Sequence, residues 1–225
     1  MTLAALVGSK VWLILQFWDY YSANPREIFA LNTLQSAGVF YGGLVTAVVV
    51  IVLYARHAKL GFLPLADVYS APVALGHAIG RIGCFTAGCC WGRETDLPWG
   101  VAFTDLYAGQ LIGVPLGVKL HHTQLYEALA LVAIFAALMW LARRQRFTGQ
   151  LFAAYLVLYG VARAIIEALR GDPSRTMVFG GKFSLMQVVS VVLILLGAWL
   201  WWRGPQWQAA AAPAPAPARV KSKRK

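Results

Sequence analysis

The sequence predicts an all-α membrane protein, a polytopic bundle of about six transmembrane helices with an external cap between the third and the fourth. Two observations lead to this prediction. Of the 225 residues, 59% are hydrophobic, and the mean hydropathy of +0.61 is far above that of a soluble domain. Apolar stretches of about twenty residues, the length that crosses the hydrocarbon core of a bilayer, also recur along the chain.

The apolar segments follow one another in a regular order. Their approximate bounds are 3–20, 38–55, 65–90, 124–141, 150–169 and 183–202. The first segment lacks a basic start, holds Lys10 in its middle and has no small-residue cleavage motif before Asp19, so we expect a membrane span rather than a signal peptide. Beyond residue 208 the chain turns to alternating Ala and Pro and then to basic residues. We therefore predict a transmembrane domain over 1–208 and a disordered cytoplasmic tail over 209–225.

The positions of the basic residues predict the orientation. Short basic runs follow the second, fourth and sixth segments, which end on one side if the helices alternate in direction. By the positive-inside rule that side is cytoplasmic, and the rule also accounts for the net charge of +11. Because no recognition motif accompanies the basic residues, we expect no nucleic-acid partner. The opposite side receives the connection 92–122, which is too long for a plain linker and is therefore predicted to form the cap.

Arg81 lies in the outer part of the third segment, and an arginine within a membrane span indicates a functional site. A guanidinium held there can bind a phosphate through two parallel hydrogen bonds. The surrounding stretch is rich in glycines, which permit close helix approach or a broken helix. These glycines are Gly76, Gly80, Gly83, Gly88 and Gly92. The alternative is an arginine that snorkels to the interface among glycines used only for packing.

The fifth segment carries Tyr159, Arg163 and Glu167 at spacings of four residues, so the three side chains share one stripe of the helix. An unpaired arginine or carboxylate in lipid is costly, so these groups should pair or face a polar cavity. Two intramembrane arginines facing one cavity would bind an anionic head group. A purely structural ion pair between Arg163 and Glu167 is the alternative.

The fourth segment opens with the polar run 121–127. Either His122 or Thr123 merely begins the helix and Glu127 suits its positive end, or these residues serve a functional site. Three cysteines lie within seven residues, at 84, 89 and 90. An odd number in so short a stretch argues against a disulfide framework, and the C-x4-C-C spacing matches no structural zinc pattern. We therefore expect no metal and no cofactor. A membrane thiol-redox or metal protein built on these cysteines is a further alternative.

Four motifs, in order, resemble those of the bacterial prolipoprotein diacylglyceryl transferase family. Residues 80–93 resemble G-R-x-G-N-F-x-N-G-E-x-x-G-R, followed by a T-D-x-P-W-G stretch at 95–100. Residues 40–43 resemble F-H-G-G, residues 122–127 resemble H-P-x-Q-L-Y-E, and residues 158–167 resemble L-Y-G-x-x-R-x-x-x-E. The resemblance covers roughly residues 7–203. The family's first transmembrane helix would precede Met1, so we expect that a first helix is missing from this sequence.

The resemblance implies a multi-pass enzyme of the bacterial inner membrane with its active site toward the periplasm. Such an enzyme moves the diacylglyceryl group of phosphatidylglycerol to the lipobox cysteine thiol of a prolipoprotein signal peptide and releases glycerol phosphate. Its partners are these two substrates and the membrane lipids. A non-catalytic relative that binds a phospholipid or a lipoprotein precursor is the alternative function.

The resemblance also implies roles for individual residues. Arg81 and Arg163 would hold the phosphate, and Glu167 would orient Arg163. His77 and Tyr41 complete the predicted catalytic set; Tyr41 stands where the family has a histidine. The predicted substrate-binding residues are Arg81, Gly83, Cys84, Cys89, Gly92, His122, Gln124, Tyr126, Tyr159 and Arg163. Among these, Cys84 and Cys89 replace an asparagine and a glutamate of the family.

Overall fold

The computed structural model describes residues 2–30, 40–173 and 175–211. The chain is mostly helical and divides into two compact units, Met1–Leu65 and Ala66–Lys225. The described residues also form two short sheets, each of two antiparallel strands. The predicted all-α membrane bundle is confirmed. The predicted tail lies, from residue 212 onward, outside the described residues.

The first unit holds two apolar helices, α1 (Thr2–Gln16) and α3 (Phe40–His57). Between them lie a short helix α2 (Trp18–Ala23) and one 3-10 turn (Pro25–Phe29). The first predicted segment therefore breaks at Phe17 instead of continuing to residue 20 as one helix. Within the described residues, α1 and α3 contain the apolar stretches Leu3–Gln16 and Val45–His57.

Small residues allow α1 and α3 to pack backbone against backbone. A Cβ added at Gly42 would lie 2.8 Å from the carbonyl oxygen of Gly8, and one added at Gly43 would lie 3.0 Å from that of Ala5. Real Cβ atoms do not approach a carbonyl oxygen so closely, so larger residues would push the two helices apart. The glycine pair of the 40–43 motif therefore serves helix packing within the first unit.

Among the described residues, four helices from Phe62 onward are long and apolar enough to cross a membrane, and they lie wholly or mostly in the second unit. They are α4 (Phe62–Thr86), α6 (Thr123–Ala142), α7 (Gln150–Leu169) and α8 (Leu185–Ala211). The 20 residues of α6 rise by about 30 Å, the thickness of a hydrocarbon core. The third predicted segment ends at Thr86 rather than at residue 90, because the backbone turns at Gly88 with a φ of 71°.

Small residues also set the packing in this unit. Three alanines of α4 meet larger apolar side chains of α6 in a buried cluster, which contains Ala71, Ala74, Ala78, Leu131, Ile134 and Leu138. Helices α7 and α8 approach closely at Gly160 and Gly197, where an added Cβ would lie 2.9 Å from the carbonyl oxygen of Ser190 and 2.7 Å from that of Ala153. The helices are thus fixed in register by the sizes of their contact residues.

Asp67 caps helix α7 from a different helix. Its buried carboxylate accepts hydrogen bonds from the backbone N–H of Gly149 at 2.6 Å and of Phe152 at 2.9 Å, and from the amide of Gln145 at 2.6 Å. The first N–H groups of a helix have no partners within it, and the positive end of the helix favours a negative charge. This contact ties the start of α4 to the start of α7.

The predicted cap between the third and fourth long segments is an ordered subdomain. Strand β1 (Val101–Ala102) pairs with β2 (Lys119–Leu120), and the seven-residue helix α5 (Leu106–Ile112) lies between them in sequence. Trp91, Ala108, Val114 and Leu120 form its buried core. A second strand pair, β3 (Met177–Val178) with β4 (Phe183–Ser184), connects α7 to α8.

Candidate active site

A buried carboxylate, Glu127 of α6, lies at the centre of a cluster of charged residues. Its Oε2 is 3.1 Å from Nε of Arg81 on α4 and 4.0 Å from Nη1 of Arg163 on α7, and its Oε1 is 3.7 Å from Nε2 of His77. The Glu127 side chain is only 4% exposed. A carboxylate in such a place is tolerated because cations surround it. Glu127 therefore joins the arginines of two helices.

Glu167 forms a second, adjoining centre of ion pairs. Its Oε2 lies 2.7 Å from Nη2 of Arg163, one helical turn away, and its Oε1 lies 3.2 Å from Nε of Arg175. Arg175 also donates a hydrogen bond from Nη1 to the backbone carbonyl of Arg170 at 2.9 Å. The predicted pair of Arg163 and Glu167 is present, and residues beyond the end of α7 extend it.

Arg170 and Asp172 close the cluster on the cap side. The guanidinium donates two parallel hydrogen bonds to the carboxylate, each 2.7 Å long. Burial lowers the pKa of Arg170, but the hydrogen bonds and charge of Asp172 raise it by more, so this guanidinium stays charged throughout the ordinary pH range. The positive charge of Arg170 is therefore already neutralised by Asp172.

One donor in the cluster has an ion-pair contact, 4.0 Å from Oε2 of Glu127, but no hydrogen-bond partner in the described chain. Nη1 of Arg163 is buried and makes no hydrogen bond with any part of the chain that the structure describes. The cluster holds four arginines (81, 163, 170 and 175) against three carboxylates (127, 167 and 172), which leaves one excess positive charge when His77 is neutral. A buried donor and a surplus of positive charge are together what an anionic ligand requires.

Aromatic and imidazole rings line one side of the cluster. The imidazole of His77 accepts a hydrogen bond at Nε2 from Nε of Arg81 at 3.3 Å, and its ring centroid lies 5.5 Å from that of Tyr159. Tyr159 in turn stacks on Tyr155 with ring planes 7° apart. His77 and Tyr159 are therefore brought together with both predicted arginines.

The three cysteines lie beside this cluster, and all are free thiols. Their sulfur atoms all lie within 4.8 Å of one another. Hydrogen bonds from the thiols of Cys84 and Cys89 lower the pKa of Cys90, and the charges of Arg170 and Arg81 lower it further. Hydrogen bonds with its two neighbours raise the pKa of the Cys89 thiol. Cys84 and Cys89, both predicted to bind substrate, are thus neighbours in space.

The N-terminus of α6 holds the cysteine loop in place. The hydroxyl of Thr123 donates a hydrogen bond to the carbonyl oxygen of Cys90 at 2.8 Å, and the amide of Gln124 donates one to that of Cys89 at 2.7 Å. Thr123 and Gln124 are almost completely buried, at 2% and 1% exposure. Gln124 therefore reaches the predicted site through the backbone of Cys89.

The remaining predicted site residues take different positions. The hydroxyl of Tyr126 accepts a hydrogen bond from the indole of Trp99 at 3.0 Å, and its ring packs against that of His122. The N–H of Gly92 bonds to the carbonyl of His121 at 2.8 Å, in a place too tight for a side chain. These residues connect the cap to α6.

The structure gives less support to the predicted roles of Gly83 and Tyr41. Gly83 is exposed on α4, and no atom of the second unit lies within 4 Å of the place where its Cβ would be; the same holds for Gly76 and Gly80. Helix α4 is also unbroken, so the expected close approach is not seen at these glycines within the described part of this unit. Tyr41 lies in the first turn of α3, and its side chain is outside the described residues.

Sequence reasoning missed three members of the cluster, Glu127, Arg170 and Arg175. For Glu127 the sequence left a helix-end role and a functional role open and named no partner, although a carboxylate five residues into an apolar helix indicates a buried cationic partner. Arg170 and Arg175 follow the last turn of α7, where ordinary positive charges near a helix end give no distinguishing signal.

Comparison with known proteins identifies the family of the chain. Residues 1–203 match the family model described as prolipoprotein diacylglyceryl transferase. A phosphatidylglycerol–prolipoprotein diacylglyceryl transferase of Finegoldia magna is 34% identical over 195 residues, covering 86% of this chain and 71% of the relative. Proteins of the same name from Clostridium tetani and Bordetella parapertussis are 32% and 34% identical, over 87% and 88% of this chain and 74% and 73% of theirs. The chain is a membrane-embedded member of the prolipoprotein diacylglyceryl transferase family.

Proposed function

We propose that this protein transfers the diacylglyceryl group of phosphatidylglycerol to the cysteine thiol of a prolipoprotein. The observation that carries the proposal is the buried Nη1 of Arg163, which makes no hydrogen bond in the described chain, beside Arg81 in a cluster with one excess positive charge. Such a site suits the single negative charge of a phosphodiester. The relatives named for this reaction support the same assignment.

The two arginines would bind the phosphate and stabilise the charge that grows on it as glycerol phosphate leaves. Arg81 meets Glu127 and His77 through Nε, so its terminal amino groups are not the atoms engaged by these partners. Glu127 contacts both guanidinium groups, and Glu167 contacts that of Arg163, so the two carboxylates hold the arginines in place. A preorganised pair of this kind does not need to reorient during the reaction.

The neighbouring side chains would complete the catalytic set. His77, held beside Arg81, is the proposed acceptor of the thiol proton, because the fold places its imidazole in the cluster and a neutral imidazole can take up a proton. Tyr159 lines the phosphate site. Tyr41 remains a predicted catalytic residue from the sequence motif. The proposed binding surface for the two substrates is formed by Gly83, Cys84, Cys89, Gly92, His122, Gln124 and Tyr126.

We further propose that the protein lies in the bacterial inner membrane with this site toward the periplasm and its C-terminus in the cytoplasm. The arginine cluster adjoins the end of α4 and the starts of the cap and α6. The exposed basic residues Arg143, Arg144 and Arg146 lie at the opposite end of α6. The positive-inside rule assigns their end to the cytoplasm. Residues 1–208 would form the transferase domain.

The proposal is tested in cells depleted of their own transferase, by following the lipidation of a prolipoprotein. The wild-type chain, expressed with and without an added N-terminal helix, is expected to restore lipidation. Arg163→Lys keeps the positive charge but loses the bidentate hydrogen bonding of a guanidinium. We expect transfer to fall by about 100-fold. Arg143→Ala, an exposed arginine at the other end of α6, serves as the matched control and should restore lipidation fully.

Two results would contradict the proposal. One is an inserted wild-type protein that restores no lipidation in either form. The other is equal activity of the wild type and Arg163→Lys. A purified protein that retains phosphatidylglycerol but gives no product with a lipobox peptide would identify the non-catalytic relative instead.

A further inference from the structure

We propose that Cys84, Cys89 and Cys90 bind a zinc-class divalent ion, and that its open fourth position binds the thiol of the acceptor peptide. The binding of the ion rests on the thiol cluster alone, whereas the role of its fourth position rests on the proposed transfer reaction. Zinc takes thiolate ligands in tetrahedral geometry, and sites with three protein ligands leave one position for a substrate.

The positions of the sulfur atoms fit such an ion. All three lie within 4.8 Å of one another. Zn–S bonds of about 2.3 Å in a tetrahedron require S–S separations of about 3.8 Å. Side-chain rotations of each cysteine can close a difference of this size. The sequence spacing alone argued against a metal, but the fold brings together three residues that the spacing leaves apart.

The backbone of the loop is built to hold the three thiols. Gly88 has a φ of 71°, and Cys90 has a φ of 61°, which a residue with a side chain rarely adopts. Buried Thr123 and Gln124 hold the carbonyl groups of Cys90 and Cys89. A strained backbone held by buried hydrogen bonds is a feature of functional sites, and here it turns adjacent cysteines toward a third.

The charges around the thiols favour a thiolate complex. Three thiolates on a divalent ion carry one net negative charge. Arg81 and Arg170 are both close enough to Cys90 to interact with it electrostatically. Although these guanidinium groups are paired with Glu127 and Asp172, they would still attract that charge and replace part of the solvation that the part-buried sulfurs have lost.

The fourth position would be free for a substrate. In the part of the chain that the structure describes, no His, Asp or Glu joins the three sulfurs in a metal-binding group. Cys84 follows Arg81 by three residues on α4, so the two side chains share a face of that helix. A thiol at the fourth position would therefore lie on the same side of α4 as the proposed phosphate site.

The ion would deprotonate the thiol of the acceptor peptide, a step that the transfer reaction requires. A cysteine thiol titrates near 8.5 and an imidazole near 6.5, so transfer of the proton to His77 is unfavourable by about two pKa units. A metal-bound thiol is deprotonated on coordination. The S–H bond breaks, a sulfur–metal bond forms and the proton passes to His77. The sulfur then attacks the glyceryl carbon that bears the phosphate: the C–S bond forms, the C–O bond breaks, and its electron pair stays on the departing phosphate. The sulfur–metal bond breaks as the thioether leaves, and the fourth position is open again.

The metal site is tested on the purified full chain in lipid nanodiscs, with Co²⁺ as a spectroscopic probe for zinc. We expect one Co²⁺ per chain, with sulfur-to-cobalt charge-transfer bands and the intense visible bands of a tetrahedral site. Each of Cys84→Ser, Cys89→Ser and Cys90→Ser should weaken binding by at least about tenfold. Thr86→Ala, at the last residue of α4 before the cysteine loop, is the matched control and should bind as the wild type does.

A peptide with one cysteine tests the open position. Its addition should raise the charge-transfer absorbance by about a third, because three thiolates become four, and a serine peptide should leave the spectrum unchanged. Fewer than about 0.2 ions per chain, or a spectrum that the cysteine peptide does not alter, would overturn the proposal. A disulfide among the three cysteines in the freshly reduced protein would do so as well.

Chelation of the wild-type protein separates this inference from the proposed function without relying on a variant that folds. If the transfer reaction is lost on chelation and restored by Zn²⁺, the zinc inference and the proposed function are both supported. Transfer that persists in metal-free protein overturns the zinc inference alone. Metal and peptide binding without transfer, in the wild type supplied with phosphatidylglycerol, overturns the function and the role of the fourth position but leaves the metal site.

Discussion

The carboxylate of Glu127 lies 3.1 Å from Nε of Arg81, so a buried acid on α6 fixes the orientation of an arginine on α4. The same oxygen is 4.0 Å from Arg163 on α7. One side chain therefore sets the spacing between the two arginines that we assign to the phosphate. In this arrangement Glu127 is a positioning residue, because it acts through the arginines.

Glu127→Gln should separate substrate affinity from turnover. The change keeps the shape of the side chain but raises the net positive charge of the cluster by one, so phosphatidylglycerol should bind at least as tightly. The arginines lose their common anchor, and kcat should fall by about 10- to 100-fold. Steady-state kinetics with a lipobox peptide in nanodiscs measures both. A raised KM with unchanged kcat would contradict the positioning role.

Arg175→Gln should weaken the support of Glu167 without removing either predicted phosphate ligand. Arg175 contacts Glu167 at 3.2 Å and the carbonyl of Arg170 at 2.9 Å. We expect transfer to fall by about tenfold, since Glu167 loses one of the cations that orient it. Arg93→Gln, an exposed arginine of the cap, is the control. Equal losses in the two variants would indicate a general effect of surface charge.

Asp67→Ala should destabilise the second unit. Three donors would lose their acceptor, including two backbone N–H groups at the start of α7. We expect a loss of about 2–4 kcal/mol in the free energy of unfolding. Asp96→Ala, an exposed carboxylate in the cap, should change it little. Thermal unfolding in detergent compares the two, and similar melting temperatures for both variants would refute the capping role.

Gly42→Ala and Gly76→Ala should have opposite effects although both glycines are in apolar helices. A methyl group at Gly42 meets the backbone of α1, so we expect a loss of about 1–3 kcal/mol. Within the second unit nothing lies close to a Cβ at Gly76, so alanine should be neutral or stabilise the helix by up to about 1 kcal/mol. Thermal unfolding of each variant measures these changes. A Gly42→Ala protein as stable as the wild type would exclude the close packing of α1 against α3.

The sequence was most informative where a residue violates the chemistry of its surroundings. Arg81, Arg163 and Glu167 stand out in apolar segments, and their helical spacing predicted the pair at 2.7 Å. The partner of Arg81 could not be predicted, because it lies on another helix. The sequence of neither helix alone determines the angle at which the two helices pack. Glu127 also had a sufficient local explanation at its helix end, and this concealed its contacts.

The cysteines show a second limit. Their spacing of C-x4-C-C describes the chain as if its backbone were regular, whereas the loop turns at Gly88 and again at Cys90. A positive φ at a cysteine is uncommon, so a single sequence gives no reason to expect it. The side chains that hold this turn, Thr123 and Gln124, lie more than thirty residues away.

The cap of Asp67 on α7 also determines how the site tolerates changes in chain length. Arg163 lies 13 residues after Gln150, the first residue of α7, or about 20 Å along the axis. The start of the helix is held by hydrogen bonds, so the helix cannot slide to absorb an insertion. One extra residue between these points would turn Arg163 by about 100° around the axis and carry it away from Glu127. The length of this helical stretch is therefore under the same constraint as the identity of the arginine, and insertions should be tolerated only in the loops outside it.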